Sequence, residues 1–388
     1  MNTVLHYKYG PYLPITENWI YGQIRYFEKY SPIVYCHGTE NADAYPVKNI
    51  RSFPRIKKVG NISDFLEQIF NRGLSYYYLI PFFLAKDKPA IVHCHFGPSG
   101  FMFLRFKRKF GLPMVTTFYG YDLSMLPASF PKWKRRYARL FMEGDRFLVE
   151  GHYMKKSLVA LGCPSGKITV NHLGVEVNKI KFIKRSIKFN EEIRVLIAGS
   201  FREKKGIPYA VEAFGKVAKA NPCLKLKLSI IGNSNGAPRE ELEKRKILDK
   251  IIEFDLKDKV NLLGYQPHSV FLEELYKHHI FLSPSVKAED GDTEGGVPVS
   301  IIEASASGMP IVSTFHCDIP EVVLEGKSGY LVQERDVDAL KERLEFLLLN
   351  QNIWENFGTA GRAHVQSNYD AENQSKKLEK IYNSMIDI

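Results

Sequence analysis

The sequence predicts an α/β protein of two domains, each built on a parallel sheet. At 388 residues the chain is too long for one ordinary core and suits two domains of similar size. Short apolar or β-branched runs alternate with helical patterns throughout, which is typical of parallel sheets. Residues 178–192 (NKIKFIKRSIKFNEE) interrupt this rhythm with a polar, basic stretch that has no clear period. We therefore expect a linker there.

In the first half, five runs have the composition of strands: TVLHY, PIVYCH, AIVHCHF, MVTTFYG and DRFLVEG. Several of them end in glycine or polar residues, at the carboxyl edge where open parallel sheets bind ligands. Helices are predicted between them over residues 21–30 and 62–84. This half gives a first domain over residues 1–180.

The second half repeats the pattern. RVLIAGS at 194–200 indicates a buried strand, 206–219 a helix, 226–232 a strand and 240–253 a charged helix. VNLLGY, IFLSPS and PIVST are further predicted strands. The second domain covers residues 191–370. Residues 371–388 are predicted to form a helix that packs across either domain.

Composition places the chain among soluble globular proteins, because 45% of its residues are hydrophobic and 25% are charged. No apolar run reaches the ~18 residues that a membrane span needs. The first ten residues lack the layout of a signal peptide. The five cysteines are scattered and form no CxxC pair, which indicates a reducing compartment and no structural zinc. We expect a cytoplasmic protein.

The net charge of +11 calls for an anionic partner, such as nucleic acid, an anionic membrane surface or a phosphorylated substrate. Basic residues cluster at 105–110 and at 131–141, where Trp133, Tyr137 and Phe141 recur at helical spacing. This second cluster is either an amphipathic helix lying on anionic lipid or a surface helix whose aromatic stripe faces the core. The second interpretation is favoured. No motif for binding RNA or DNA is present, so nucleic acid is not expected.

The segment 290–314 (DGDTEGGVPVSIIEASASGMPIVST) carries the strongest indication of function. It combines a Gly-Gly turn, a short helix, a glycine stop and a β-branched strand. Free backbone N–H groups and the positive end of the helix dipole would bind phosphate. Glu294 and Glu303 could accept hydrogen bonds from sugar hydroxyls. Together these groups indicate a nucleotide-sugar.

These residues resemble glycosyltransferase family 4. The likeness covers nearly the whole chain in the expected order, and its first half resembles bacterial exopolysaccharide and lipopolysaccharide transferases. The segments that carry it are 14–20 (PITENWI), 93–97 (HCHFG), 117–122 (TFYGYD), 161–176, 199–206 (GSFREKKG), 230–233, 260–265 and 294–310. The resemblance implies a GT-B fold of two Rossmann-like lobes facing each other across a cleft. It also implies sugar transfer from a nucleotide donor with retention of configuration and without a metal.

The resemblance assigns roles to several residues of the second half. Glu303 would bind the ribose, and because IIEASASGMP is otherwise free of charge, its carboxylate must have a partner. Lys205 would stabilise the leaving diphosphate, with Arg202 replacing the arginine that normally follows Gly199. Glu294 would contact the donor sugar. Eight residues separate the two glutamates instead of the usual seven, and an extra glycine could form a bulge that restores the reach of Glu294.

The donor-binding residues predicted in this way are Glu303, Gly295, Gly296, Val297, Val299, Ser300, Gly232 and Tyr265. Asp290 and Asp292 form a DxD sequence that commonly binds metal, but it precedes the glutamate motif and is predicted to shape the loop. We therefore expect neither a metal nor another cofactor beside the nucleotide-sugar.

In the first half, Tyr119 stands where many relatives have a histidine. A neutral phenol cannot take up a proton near pH 7 as imidazole can. His95 and Asp122 are then the remaining polar candidates near the reacting groups, and with Glu294, Lys205 and Arg202 they complete the predicted catalytic set. Tyr119 and Glu17 are predicted to bind the acceptor. His93 is expected to pack in the core.

The sequence thus predicts a retaining glycosyltransferase of surface polysaccharide synthesis. Its donor would be a UDP- or GDP-sugar and its acceptor a lipid-linked saccharide at the inner face of the membrane. This would make the enzyme peripheral on an anionic surface. Two alternatives share the fold: a nucleotide-sugar 2-epimerase, and a non-catalytic protein that binds a nucleotide-sugar.

Overall fold

The computed structural model describes residues 1–14, 19–41, 43, 45–53, 78–188 and 190–386. The chain divides into two compact units. The first unit comprises Met1–Gly174 together with Ala371–Ile388, and the second comprises Val175–Asp370. The second unit therefore begins before the predicted linker, and the C-terminal segment belongs to the first unit.

Each unit contains a parallel sheet. In the first, the described strands have the order β3-β2-β1-β4-β5-β6-β7, and in the second β10-β9-β8-β11-β12-β13. The strands are β1 (Asn2–Tyr7), β2 (Tyr30–Cys36), β3 (Ile50–Ser52), β4 (Ile91–His95), β5 (Met114–Thr117), β6 (Arg146–Val149), β7 (Ile168–Val170), β8 (Ile193–Ala198), β9 (Leu226–Ile231), β10 (Val260–Gly264), β11 (Ile280–Ser283), β12 (Ile311–Thr314) and β13 (Gly329–Val332). All ten predicted strands are confirmed. In all of them except the edge strand β10, the near-continuous apolar runs reflect burial on both faces of a parallel sheet.

Helices connect these strands. In chain order they are α1 (Trp19–Ile24), α2 (Ile80–Asp87), α3 (Gly97–Phe110), α4 (Met125–Ser129), α5 (Lys132–Glu143), α6 (His152–Ala160), α7 (Ile207–Ala220), α8 (Pro238–Glu253), α9 (His268–Lys277), α10 (Val299–Ala306), α11 (Val337–Leu349), α12 (Trp354–Asn368) and α13 (Ala371–Ile386). Of the helices that the structure describes, none combines the length and apolar character needed to cross a membrane.

The helix predicted over 21–30 ends early, and its last part is wrong. The reason is a carboxylate from the other end of the chain. Glu379 Oε1 accepts hydrogen bonds from the backbone N–H groups of Glu28, Lys29 and Tyr30, at 2.9, 2.7 and 3.3 Å. These N–H groups therefore bond a side chain instead of helical carbonyls, and β2 begins at Tyr30. Of the helix predicted over 62–84, residues 62–77 lie outside the described residues.

Helix α13 packs on the first unit. Tyr382 is fully buried and its hydroxyl lies 2.6 Å from His93 Nδ1. The start of the helix packs closely against Gly174, since a Cβ added at Gly174 would lie 2.4 Å from the Ala371 Cα atom. Only glycine leaves room for that approach.

The aromatic stripe of α5 faces the core, as favoured from the sequence. Tyr137 and Phe141 are 0% and 1% exposed, and both pack against Phe118. Trp133 is half-buried on the same side. The alternative, in which these rings insert into lipid, is therefore wrong. The basic residues of the helix remain on its outer face.

Arg185 explains why the predicted linker belongs to the second unit. It lies in a stretch without regular structure, yet it is only 4% exposed. Its guanidinium donates hydrogen bonds to the carbonyls of Ile183, Leu275, His278 and Ser307 and to the Ser307 hydroxyl, over 2.7–3.1 Å. Burial lowers its pKa to about 10, which leaves the group charged at pH 7. The Arg185 side chain thus ties the segment to the second unit at several points.

We predict that Arg185→Met lowers the free energy of unfolding by about 3 kcal/mol, because several buried carbonyls lose their donor. Urea unfolding at pH 7 measures this change. Lys184→Met is the matched control, since the neighbouring Lys184 side chain is 70% exposed and its ion pair with Glu355 lies at the surface. Equal losses for the two variants would contradict the structural role of Arg185.

Candidate functional site

The site in the second unit is built on three closely packed turns at the carboxyl ends of its strands. Gly232 follows β9 with a φ of +136°, and a Cβ there would lie 1.8 Å from the Gly199 carbonyl oxygen. Its N–H donates to the Gly264 carbonyl at 2.8 Å. The turns after β8, β9 and β10 therefore touch through glycine backbone. Gly232 was predicted to bind the donor, and the structure gives it this packing role.

The turn after β8 positions the lysine side chains of the site. Residues Glu203–Lys205 form a single 3₁₀ turn that ends at Gly206, whose φ is +63°. A Cβ at Gly206 would lie 1.9 Å from the Pro284 carbonyl oxygen, so the turn and the 284–294 loop are in direct contact. Lys204 and Lys205 consequently extend towards that loop. Only glycine tolerates both the φ angle and the contact.

Lys205 and Glu294 form a close ion pair. The ammonium lies 2.9 and 3.0 Å from the two carboxylate oxygens, and both side chains are largely buried, at 20% and 5% exposed. Lys204 donates to the Thr293 carbonyl at 2.9 Å and lies 3.4 Å from Asp292 and 3.8 Å from Glu294. Two lysines thus share two carboxylates.

Asp290 and Asp292 both pair with cations. Arg202 lies 2.5 Å from Asp292 Oδ2, and Arg239 pairs with Asp290. The side chain of Asp292 is 4% exposed, and its N–H donates to Asp290 at 3.0 Å. These contacts tie both aspartates to neighbouring side chains of the second unit.

Glu294 is ionised at neutral pH. Burial by itself would raise its pKa, but the charges of Lys205 and Lys204 and hydrogen bonds from Lys205 and Ser285 lower the pKa to about 2. The backbone of Glu294 is also fixed, because its N–H lies 3.1 Å from Nε2 of His316. The other ring nitrogen of His316, Nδ1, lies 2.7 Å from Glu334. The extra residue, Gly295, has a φ of +75°. The chain turns there through a conformation that suits glycine.

Glu303 lies on the next helix, α10, and is 8% exposed. The partner that its uncharged surroundings required is His268, the first residue of α9, with Nε2 2.7 Å from Glu303 Oε1. This hydrogen bond raises the pKa of His268. The carboxylate is thereby held at one oxygen.

The remaining donor-binding candidates surround these charges. Val297 is 7% exposed and packs in the same core cluster as Phe271 and Ile301, which anchors the loop. Gly296 precedes it, and Val299 and Ser300 form the first turn of α10, where backbone N–H groups have no intrahelical acceptor. Tyr265 follows β10 and is 56% exposed.

The first unit holds a second cluster. His6 on β1 is paired in register with His93 on β4, and His95 lies two residues further on the same face. His95 lies 2.9 Å from His6 and 2.6 Å from the Tyr119 hydroxyl, while His93 contacts Tyr382 and Thr117 at 2.6 Å each. Burial lowers the pKa of all three imidazoles, which are neutral at pH 7. His93 is a core histidine, as predicted.

Asp122 anchors the loop after β5. Its carboxylate accepts hydrogen bonds from the N–H groups of Gly97 and Tyr119, at 2.7 and 2.9 Å, and the residue is fully buried. Asp122 therefore bonds the backbone of Tyr119, and His95 lies at hydrogen-bond distance from the Tyr119 hydroxyl. Glu17 lies outside the described residues.

The second unit thus brings Glu294, Lys205 and Arg202 together, whereas His95, Tyr119 and Asp122 form their own group in the first. Sequence reasoning missed Lys204 and His268. Lys204 was overlooked because only one of the two adjacent lysines carries the family resemblance. His268 follows the carboxyl end of a predicted strand, at the sheet edge where ligands bind, and this position was the available signal.

Two family models match the chain. Residues 178–364 match "Glycosyl transferases group 1", and residues 22–179 match "Glycosyltransferase Family 4". A putative colanic acid biosynthesis glycosyltransferase, WcaL of Salmonella typhimurium, is 32% identical over 74% of this chain and 68% of its own length. An amylovoran biosynthesis glycosyltransferase, AmsK of Erwinia amylovora, is 31% identical over 84% of this chain and 79% of its own.

Solved structures share the fold at low sequence identity. Anabaena HepE, in complex with UDP and glucose, gives a TM-score of 0.78 at 12% identity, with 99% of this chain and 100% of that chain covered. Sucrose-phosphate synthase from Thermosynechococcus elongatus gives 0.76 at 16% identity, with 99% of each chain covered. The two Rossmann-like lobes described above are those of the GT-B fold.

We predict that Glu294→Gln lowers the free energy of unfolding by about 3 kcal/mol at pH 7, because the folded protein holds the carboxylate ionised more strongly than the unfolded chain does. The pKa is lower in the folded state. The stabilisation is therefore complete above the pKa of an unfolded glutamate, about 4.3, and is lost as the pH falls towards 2. Urea unfolding at pH 7, 4 and 3 measures it.

Glu289→Gln is the control for this charge change, because Glu289 is exposed in the same loop. We expect it to alter stability by less than about 0.5 kcal/mol at each pH. A Glu294→Gln deficit that stayed constant from pH 7 to pH 3 would show that the ion pairs do not cause it.

Proposed function

The chain belongs to the glycosyltransferases of these two family models, and from this premise we propose that it builds a surface polysaccharide by extending a lipid-linked saccharide. Its relatives WcaL and AmsK are named for the biosynthesis of colanic acid and amylovoran, which are both polysaccharides. We propose a UDP- or GDP-sugar as the donor. The observation that carries the proposal is the group formed by Lys205, Arg202 and Glu294 at a glycine-rich turn, in the same unit as Glu303.

In the proposed donor site, each group meets one part of the nucleotide-sugar. Lys205 and Arg202, with the N–H groups at the start of α10, bind the diphosphate. Glu303 accepts hydrogen bonds from the ribose hydroxyls, and Glu294 from the donor sugar. In the described structure both cations pair with carboxylates, so they are held in place before the donor enters. Such preorganised charge needs no rearrangement during the reaction.

The proposed reaction retains the configuration of the sugar. The bond between the anomeric carbon and the diphosphate oxygen breaks, and the acceptor hydroxyl attacks from the same face. Its proton passes to an oxygen of the departing diphosphate. Lys205 and Arg202 stabilise the negative charge that grows there. We propose that no metal takes part, since Asp290 and Asp292 already pair with Arg239, Arg202 and Lys204.

The acceptor would reach the enzyme at an anionic membrane surface. Helices α3 and α5 are in contact, and Arg108 of α3 pairs with Glu143 of α5. Their outer sides form what we term the basic face, which carries the exposed residues Arg105, Arg108, Lys109, Lys132, Lys134, Arg135 and Arg139. Phe130 and Met142 are 49% and 75% exposed beside it. Clustered basic side chains with apolar neighbours bind anionic lipid. We propose a peripheral location at the inner face of the membrane.

We predict that Lys205→Ala lowers kcat/KM for sugar transfer by ~100-fold, because one preorganised contact to the leaving group is worth ~3 kcal/mol. Transfer from a UDP- or GDP-sugar to a lipid-linked saccharide measures this. Lys219→Ala, an exposed lysine at the end of α7, is the control and should keep the full rate. If the wild-type protein binds the nucleotide-sugar but neither transfers nor hydrolyses it, the protein is a non-catalytic binding protein. If it isomerises the donor sugar when no acceptor is present, it is an epimerase.

We predict that the pair Lys134→Glu and Arg135→Glu reduces binding to vesicles containing anionic lipid, because each basic residue near such a surface contributes ~1 kcal/mol. Co-sedimentation at 0.1 M salt measures the bound fraction. The control pair, Arg245→Glu and Lys257→Glu, makes the same change in net charge on exposed residues of the second unit. Identical binding of both double variants would exclude the basic face as the contact.

A further inference from the structure

The Glu303 side chain is largely buried on a helix whose neighbouring residues are apolar. Its helix neighbours Ile301, Ile302 and Ala304 are 0–1% exposed, and Glu303 itself is 8% exposed. A carboxylate in such surroundings is costly unless it is hydrogen-bonded. Within the described residues, the one hydrogen bond to its carboxylate comes from His268 Nε2, at 2.7 Å from Oε1. This carboxylate therefore depends on a single side chain.

The two side chains are mounted on a common rigid base. His268 begins α9, whose buried residues Phe271 and Leu275 belong to the same core cluster as Ile301 and Ile302 of α10. The two helices therefore hold the imidazole and the carboxylate at a fixed separation. His268 is itself half exposed, at 50% of its side chain. The pair lies at the edge of the core, where a ligand can reach it.

We propose that His268 is a positioning residue, which holds one oxygen of Glu303 so that the other is directed to the ribose hydroxyls and the site prefers ribonucleotides to deoxyribonucleotides. This inference rests on the proposed donor role of Glu303. A glutamate side chain has several rotatable bonds, and fixing them on binding costs free energy. The hydrogen bond from His268 removes part of that cost before the nucleotide arrives. His268 acts through Glu303 and needs no contact with the nucleotide.

The test compares protein variants in their binding of nucleotides with and without the 2′-hydroxyl. Isothermal titration measures the Kd of UDP and GDP, and of their 2′-deoxy counterparts, for wild type, His268→Ala, His268→Gln and Glu303→Ala. We expect His268→Ala to weaken binding of the ribonucleotide by ~10-fold, since hydrogen bonds to charged groups are worth about 1.5–3 kcal/mol, and to change the 2′-deoxy ligand by less than about 2-fold. His268→Gln, which keeps an N–H donor, should recover most of the affinity.

The outcomes separate this inference from the donor site itself. In the double variant His268→Ala/Glu303→Ala, the loss should equal that of Glu303→Ala alone, because both act on the same contact. Equal losses for ribo- and deoxyribonucleotides, or no recovery with glutamine, would overturn the role of His268 while leaving the donor site intact. Failure of wild type to bind either UDP or GDP would overturn the proposed donor site, and this inference with it.

Discussion

Two loops of opposite charge hold each other in the second unit, and the candidate site depends on that pairing. The turn at 202–205 supplies three cations, and the loop at 290–294 supplies the carboxylates of Asp292 and Glu294. Most of these side chains are buried, so removal of one partner would leave a charge without compensation. Glycines allow the loops to approach, as the contact between Gly206 and Pro284 shows. Backbone packing and charge therefore specify the same arrangement.

The strands were predictable because burial on both faces leaves a nearly continuous apolar run. Three strands that the sequence analysis overlooked, β3, β7 and β13, have only three or four residues each, too few for a pattern. The other errors have non-local causes. Helix α1 ends early because Glu379, about 350 positions away, takes the next N–H groups. The segment predicted as a linker is held by Arg185, whose acceptors lie about 90 and 122 positions away along the chain. Contacts between residues so far apart in sequence cannot be predicted from local composition.

The candidate site was predictable where a motif is continuous in sequence. Glu303 and Lys205 lie in such motifs, and physical reasoning added that Glu303 needs a partner. The identity of the partner, His268, could not follow, because it depends on how α9 packs against α10. The extra glycine before Gly296 left the direction of the Glu294 side chain open in the sequence. In the structure Gly295 has a positive φ, and Glu294 forms an ion pair with Lys205.

The return of α13 to the first unit has a consequence for synthesis of the protein. The second unit is continuous in sequence, from Val175 to Asp370, and can close its core once those residues have left the ribosome. The first unit is discontinuous. Its buried Tyr382, and the carboxylate of Glu379 that binds three of its N–H groups, are translated later. The unit that is made first is therefore the one that is completed last, and the N–H groups that lead into β2 must wait for Glu379 while the other unit folds.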